Sequence, residues 1–184
     1  MTMHRALFLD RDGVVNRDDG YVCRKQDFHF IEGIFDLTAA ATVRGFLTVI
    51  VTNQSGIGRG YYSEQRFLRL MRWVKRQFHR RRAPITAVYF CPFHPEHGVG
   101  RYRRDSFLRK PHPGMILRAL ADFDIDPARS LLVGDTAGDM EAGHAAGIGR
   151  LFCLRQDDIC LPLPEYDNLR QVKRLTDIIP ALDF

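Results

Sequence analysis

Three groups of polar residues each follow directly on an apolar, strand-forming run, and their side chains suit metal and phosphate chemistry. The first is Asp10-Arg11-Asp12-Gly13, the second Thr52-Asn53-Gln54-Ser55-Gly56, and the third Gly134-Asp135-Thr136 with Asp139 one turn further on. If the three apolar runs lie side by side, at least three carboxylates meet. Such a cluster repels itself in a partly dry cleft unless a cation neutralises it, and oxygen ligands with room for water and phosphate suit Mg²⁺. Lys110, in Arg109-Lys110-Pro111, offers a second positive charge, while Thr52 and the amides after it offer donors for phosphoryl oxygens.

The elements that must position these groups are legible from periodicity. Short runs rich in β-branched and aromatic residues at 6–9, 47–52, 87–90, 130–133 and 151–154 read as strands buried on both faces. Helical spacing occupies 33–44, 63–82, 113–122 and 138–146, with a C-terminal candidate helix at 168–182. Strand then helix, repeated, predicts an α/β fold: a Rossmann-like open parallel sheet flanked by helices, whose ligands gather beyond the carboxyl ends of the strands. Ser63 and Asp177 offer capping or turn chemistry, and Gly147 and Gly149 stop the helix before the fifth strand. Phe67, Leu70, Trp73, Val74 and Phe78 recur at helical spacing and are expected in the core.

Length and composition bound the rest. The 184 residues, 45% of them apolar, suit one domain spanning 1–184. The formal charge of +5 favours anionic partners without choosing between a phosphorylated metabolite and nucleic acid. No run approaches membrane-spanning length, no signal-peptide pattern opens the chain, and Cys23, Cys91, Cys153 and Cys160 are too scattered for a disulfide framework. A cytoplasmic protein with reduced thiols is expected, and composition says nothing of its oligomeric state. The Arg80 to Arg82 triplet reads as a solvated helix end, and His4, His29 and His144 as surface or structural histidines.

With those residues in view, LFLDRDGVVN, VIVTNQSG, RKPHPGM and LLVGDTAGDM resemble the four motifs of haloacid dehalogenase-like phosphatases, in order, over about residues 6–155. DGYV, TNQSGIGRG and YFCPFHP bring the likeness closer to the D-glycero-D-manno-heptose 1,7-bisphosphate phosphatases and their histidinol-phosphate phosphatase relatives. The resemblance implies that Asp10 is nucleophile and Mg²⁺ ligand, and that Asp12 gives its carbonyl to the metal and its side chain as general acid and base. It also implies that Asp135 completes the metal ligands and that Thr52 and Lys110 share the catalytic work. The candidate substrate contacts are Arg11, Asp18, Asp19, Gly20, Tyr21, Asn53, Gln54, Ser55, Arg109 and Thr136, the last standing where the subgroup often has lysine. An alternative for residues 18–20 is a simple hairpin turn. Asp139 is expected to orient its loop and Arg59 to tie the loop after the second strand, or to meet ligand. Arg101, Arg103 and Arg104 read as a solvated loop.

The expected reaction is removal of the C7 phosphate from heptose 1,7-bisphosphate in the synthesis of heptose precursors for surface polysaccharide. A histidinol-phosphate or other small phosphomonoester phosphatase is the alternative, with a nucleic-acid 3′-phosphatase module behind it. The last lacks support from any aromatic-interleaved basic stripe. Only short loops, 16–30 and 94–108, are available to cap the cleft. The family's structural zinc site, a Cys-x-His followed by a Cys-x-Cys, falls here on Cys91, Phe93, Ser106 and Leu108, so structural zinc is expected to be absent. A displaced site on Cys91, His94 and His97 is the alternative; without metal, packing of Phe93, Phe107 and Leu108 would hold the loop.

Overall fold

A computed structural model describes residues 3–155 and 162–183; Cys160 lies outside them. Its strands are β1 (Arg5–Leu9), β2 (Phe46–Asn53), β3 (Ala87–Cys91), β4 (Leu131–Gly134), β5 (Arg150–Leu154) and β6 (Leu169–Val172). They form one parallel sheet in the order β3-β2-β1-β4-β5-β6. The helices are α1 (Ile34–Val43), α2 (Ser55–Gly58), α3 (Glu64–Arg80), α4 (Gly114–Asp122) and α5 (Ala137–Ala145).

Strand alternation divides the core between two faces. Leu7, Leu9 and Ile50 point to the face covered by α1, α3 and the C-terminal 3₁₀ segment Leu175–Leu182. Ala6, Phe8, Val49 and Val51 point to the face covered by α4 and α5. On α3, Phe67, Leu70, Val74 and Phe78 are buried as their spacing predicts, with Trp73 packed against them. Ser63 caps that helix by accepting from the Arg66 amide at 3.2 Å. Gly147 supplies the left-handed turn, φ 76°, that ends α5's segment.

Two expectations are corrected. The C-terminal candidate helix at 168–182 instead begins as β6, because β5 leaves an open edge that Leu169–Val172 completes in parallel register. The segment Leu175–Leu182 beyond β6 is 3₁₀ rather than α-helix, and it contains Pro180, which has no amide to give to an α-helical ladder. β3 also departs from a doubly buried strand: it is the outer edge, and Ala87 to Phe90 are only half-buried. The segments 16–30 and 94–108 hold only bridges, turns and the short 3₁₀ turns Lys25–Asp27 and Gly100–Tyr102, so among the described residues these two segments supply no folded cap. No described helix is long and apolar enough to cross a membrane.

Candidate active site

Strand order reverses between β1 and β4, and Asp10 and Asp135 leave the carboxyl ends of those two neighbouring strands. The Asp10 amide still bonds Val133 O at 2.9 Å, which fixes the two ends side by side. Beyond them lies a cleft of about 430 Å³. It gathers Asp10, Asp12, Asp18, Gly20, Tyr21, Thr52, Asn53, Gln54, Ser55, Lys110, Asp135 and Thr136 from the expected set. Arg11, Asp19 and Arg109 do not line it.

Lys110 is the centre of a buried ion network. Its ammonium donates to Asp10 Oδ1 at 2.8 Å, to Asp139 Oδ1 at 2.5 Å and to Val51 O at 2.9 Å. Although burial opposes its charge, the carboxylates of Asp10 and Asp139 hold it above the ordinary lysine value. Asn53 anchors the lysine backbone, accepting from Lys110 N at 3.1 Å and donating to Lys110 O at 3.0 Å. Asp139 orients its loop as expected: Oδ2 accepts from the Thr136 amide and hydroxyl and from the Asp135 amide, in a capping box that starts α5. Thr136 is therefore committed first to the helix cap.

Asp10, Asp135 and Asp139 bring carboxylate oxygens within 4.8 Å of one another. Burial, reinforced by Asp139 and Asp135 and opposed by Lys110, raises the Asp10 carboxyl well above its ordinary range. Burial and the Asp139 charge push Asp135 up to about 7. Asp135 Oδ1 is buried without a hydrogen-bond partner. A nucleophilic carboxylate needs the opposite electrostatics, and Lys110 alone does not supply them. A hard cation between Asp10 and Asp135 does, so the donor set fits Mg²⁺. Asp139 has both oxygens committed and serves as a positioning group. Gly13 makes the close approach feasible: at φ 86°, a Cβ there would stand 2.0 Å from Asp135 Oδ2.

Asp12 is held on both oxygens. Oδ1 accepts from Arg11 at 2.6 and 3.1 Å and from Asn16 Nδ2 at 3.0 Å; Oδ2 accepts from Gln54 Nε2 alone, at 3.0 Å. The Arg11 side chain, expected among the substrate contacts, is a buried support of Asp12 and does not line the cleft. It is fully enclosed, lies 6.0 and 5.8 Å from the Phe28 and Phe67 rings, and also donates to Val22 O. Gln54 is oriented in turn by Tyr62, whose buried hydroxyl donates to Oε1 at 2.6 Å, and by Thr52 Oγ1 at 2.9 Å. Tyr62 escaped sequence reasoning because it reads as one more aromatic beside Tyr61.

The outer contacts divide. Asp18 both turns the chain, accepting from Gly20 N at 3.2 Å, and reaches the cleft, so the two readings of that segment coexist. Tyr21 stands at the mouth, with Tyr61 edge-on at 4.7 Å and the Arg59 guanidinium 5.9 Å from its ring. Asp19 is exposed and does not line the cleft, and Arg109 Nη1 donates to Phe93 O at 3.3 Å. Where β3 runs into the 94–108 loop, Cys91 is buried, and Phe93 and Leu108 pack against its cluster. Phe107, expected in that cluster, is instead 61% exposed and lies beside His112. His94 Nδ1 accepts from the amides of Glu96 and His97.

Comparison with known proteins gives this geometry a context. A HAD-hydrolase-like family model matches residues 107–155. A D-glycero-alpha-D-manno-heptose-1,7-bisphosphate 7-phosphatase of Burkholderia mallei is 60% identical over 97% of this chain and 94% of its own. The chain belongs to the heptose-1,7-bisphosphate 7-phosphatases of the haloacid dehalogenase-like hydrolases. The Vibrio cholerae relative, named for the beta anomer, is 50% identical over 82% of this chain and 81% of its own. A heptose 1,7-bisphosphate phosphatase from B. bronchiseptica, solved with magnesium and phosphate, superposes with a TM-score of 0.81 at 26% identity, covering 97% of each chain. As a member of this phosphatase family the chain is a phosphoric monoester hydrolase.

Proposed function

We propose that this phosphatase removes the C7 phosphate of D-glycero-D-manno-heptose 1,7-bisphosphate through an aspartyl-phosphate on Asp10, with Mg²⁺ held by Asp10, Asp135 and the Asp12 carbonyl. The observation that carries the reading is the juxtaposition of an ion-paired Asp10 with Asp135, whose buried Oδ1 has no hydrogen-bond partner among the described residues, across the β1/β4 crevice. Asp10 Oδ1 accepts from Lys110 Nζ and from the Arg11 amide at 2.7 Å, which fixes the carboxylate so that one oxygen can attack phosphorus while the other meets the metal. Magnesium, when bound, neutralises the carboxylates and the charge of the transferring phosphoryl group. Lys110 balances Asp10, and Thr52 with the amides of residues 53–55 offers donors to the equatorial oxygens.

Asp12 Oδ2, the oxygen with a single donor, carries the proton that passes to the C7 oxygen as the phosphorus–oxygen bond breaks. The same oxygen then takes a proton from the water that attacks the aspartyl-phosphate, which restores Asp10 and releases phosphate. The cleft leaves space for a sugar beside Asp18, Gly20 and Tyr21. We place the enzyme in the cytoplasm, in heptose precursor synthesis for surface polysaccharide, and without structural zinc.

The test is phosphate release from both anomers of heptose 1,7-bisphosphate, histidinol phosphate and a 3′-phosphorylated oligonucleotide, assayed side by side with magnesium. The heptose bisphosphates should show the highest kcat/KM, with the alpha form ahead by analogy with the Burkholderia mallei relative. Faster turnover of histidinol phosphate or the oligonucleotide would overturn the substrate assignment. Full activity of Asp10→Asn would overturn the mechanism.

A further inference from the structure

We propose that the solvent face of α3 carries a second anion site, remote from the cleft chemistry, which takes a small compound bearing a condensed phosphate group of at least three negative charges. Arg66, Arg69, Arg72 and Arg76 follow one another at spacings of three and four, which stacks them along one helix face. Across from them Lys25, on the short 3₁₀ turn, completes the rim of a hollow of about 540 Å³. That volume is ordinary for a small-molecule site. Its remaining lining is Cys23 and Leu70, both packed on the core, so the floor is fixed by the fold.

The electrostatics are one-sided. No acidic residue lines the hollow, and among the described residues none of the five cationic head groups has an ion pair or a hydrogen bond. Some surface arginines elsewhere are paired locally, as in Arg44 with Asp183 and Arg174 with Asp177. The one acid on α3, Glu64, accepts from the Tyr102 hydroxyl, faces Arg101, and does not line the hollow. The neighbouring hollow on the other flank of α3 shares Arg69 and Arg72, adds Lys75, and is also free of acids.

Like charges at these spacings repel, and a bound polyanion relieves them all at once. Guanidinium forks match pairs of phosphate oxygens, and several forks converging from one helix select for several linked phosphates over a single one. No aromatic ring lines the hollow, so nothing there stacks nucleobases, which argues against single-stranded nucleic acid. The 3₁₀ turn gives the hollow a second wall, a shape that fits a small compound better than a flat lipid surface.

The probe is inorganic tripolyphosphate, titrated calorimetrically into the full chain in EDTA, so that metal-dependent binding at the active site is suppressed. Saturable binding with one ligand per chain is expected, weakening as salt is raised. Arg69→Gln/Arg72→Gln should weaken it at least about tenfold, the loss of paired charge-assisted bonds. Arg66→Gln/Arg76→Gln should do the same. The control Arg80→Gln/Arg129→Gln removes the same net charge outside the hollow and should bind as the parent does. Non-saturating heat, an equal loss in the control, or unchanged binding by both hollow variants would overturn the proposal. So would tighter, hollow-dependent binding of an RNA oligonucleotide or of phosphatidylserine vesicles, which would reassign the face to a polymer or a membrane.

Discussion

Replacing Asp135 by asparagine should stabilise the metal-free fold while removing the activity. The side chain keeps its shape but loses the charge that sits within 4.8 Å of carboxylate oxygens of Asp10 and Asp139. In the parent, burial and then Asp139 raise the Asp135 carboxyl from 3.8 to about 7. The sign follows from proton counting: between those values the native state binds more protons than the unfolded chain, so stability is lost as pH rises through the window. At about 1.4 kcal/mol for each unit of pKa, holding Asp135 ionised costs about 4 kcal/mol at most. Relaxation of Asp10 and Asp139 around the charge should bring that down to about 2 kcal/mol. For a chain of this length the melting temperature should then rise by roughly 4–8 °C. The assay is thermal unfolding in EDTA at about pH 8, above both values. Below about pH 4 the two proteins should converge. Magnesium should stabilise the parent by about 2.7 kcal/mol at a hundredfold excess over its Kd, and the variant far less. An asparagine variant that melts below the parent in EDTA, or a parent whose stability climbs between about pH 4 and 7, would refute the repulsive cluster.

Asp12→Asn should slow both formation and breakdown of the aspartyl-phosphate by about 10²- to 10⁴-fold, read by rapid quench, because one oxygen serves both proton transfers; two unchanged steps would remove it from that role. Arg11→Leu should cost about 1.5–3 kcal/mol of stability through lost charge-assisted hydrogen bonds, and should lower kcat with little change in KM, since the side chain supports Asp12 without lining the cleft. A rise in KM alone would restore Arg11 as a substrate contact. Protein purified without chelators should carry no stoichiometric zinc by elemental analysis; metal retained on dialysis and lost with Cys91→Ser would show a site on that loop.

Much of this protein is local and therefore legible in its sequence. The apolar runs before Asp10, Thr52 and Asp135 announce buried parallel strands because such strands have no polar face, and residues just past their ends are delivered to the same rim. The motif residues could be named before the fold was known. Helices with caps and a buried stripe, α3 above all, are legible for the same reason. What the sequence leaves open depends on which partner an element finds. Leu169–Val172 has the composition of several structures and becomes a strand because β5 offers an unpaired edge. Arg11 sits between two aspartates in a catalytic motif, yet its direction is decided by the Val22 carbonyl and the Phe28 and Phe67 rings arriving from elsewhere in the chain. The link from Tyr62 through Gln54 to Asp12 spans 50 positions and exists only once α2 folds the chain back. The electrostatic demand for a cation is likewise tertiary: acid side chains can be counted in a sequence, but the desolvation that raises Asp10 and Asp135 depends on how deeply the assembled sheet buries them.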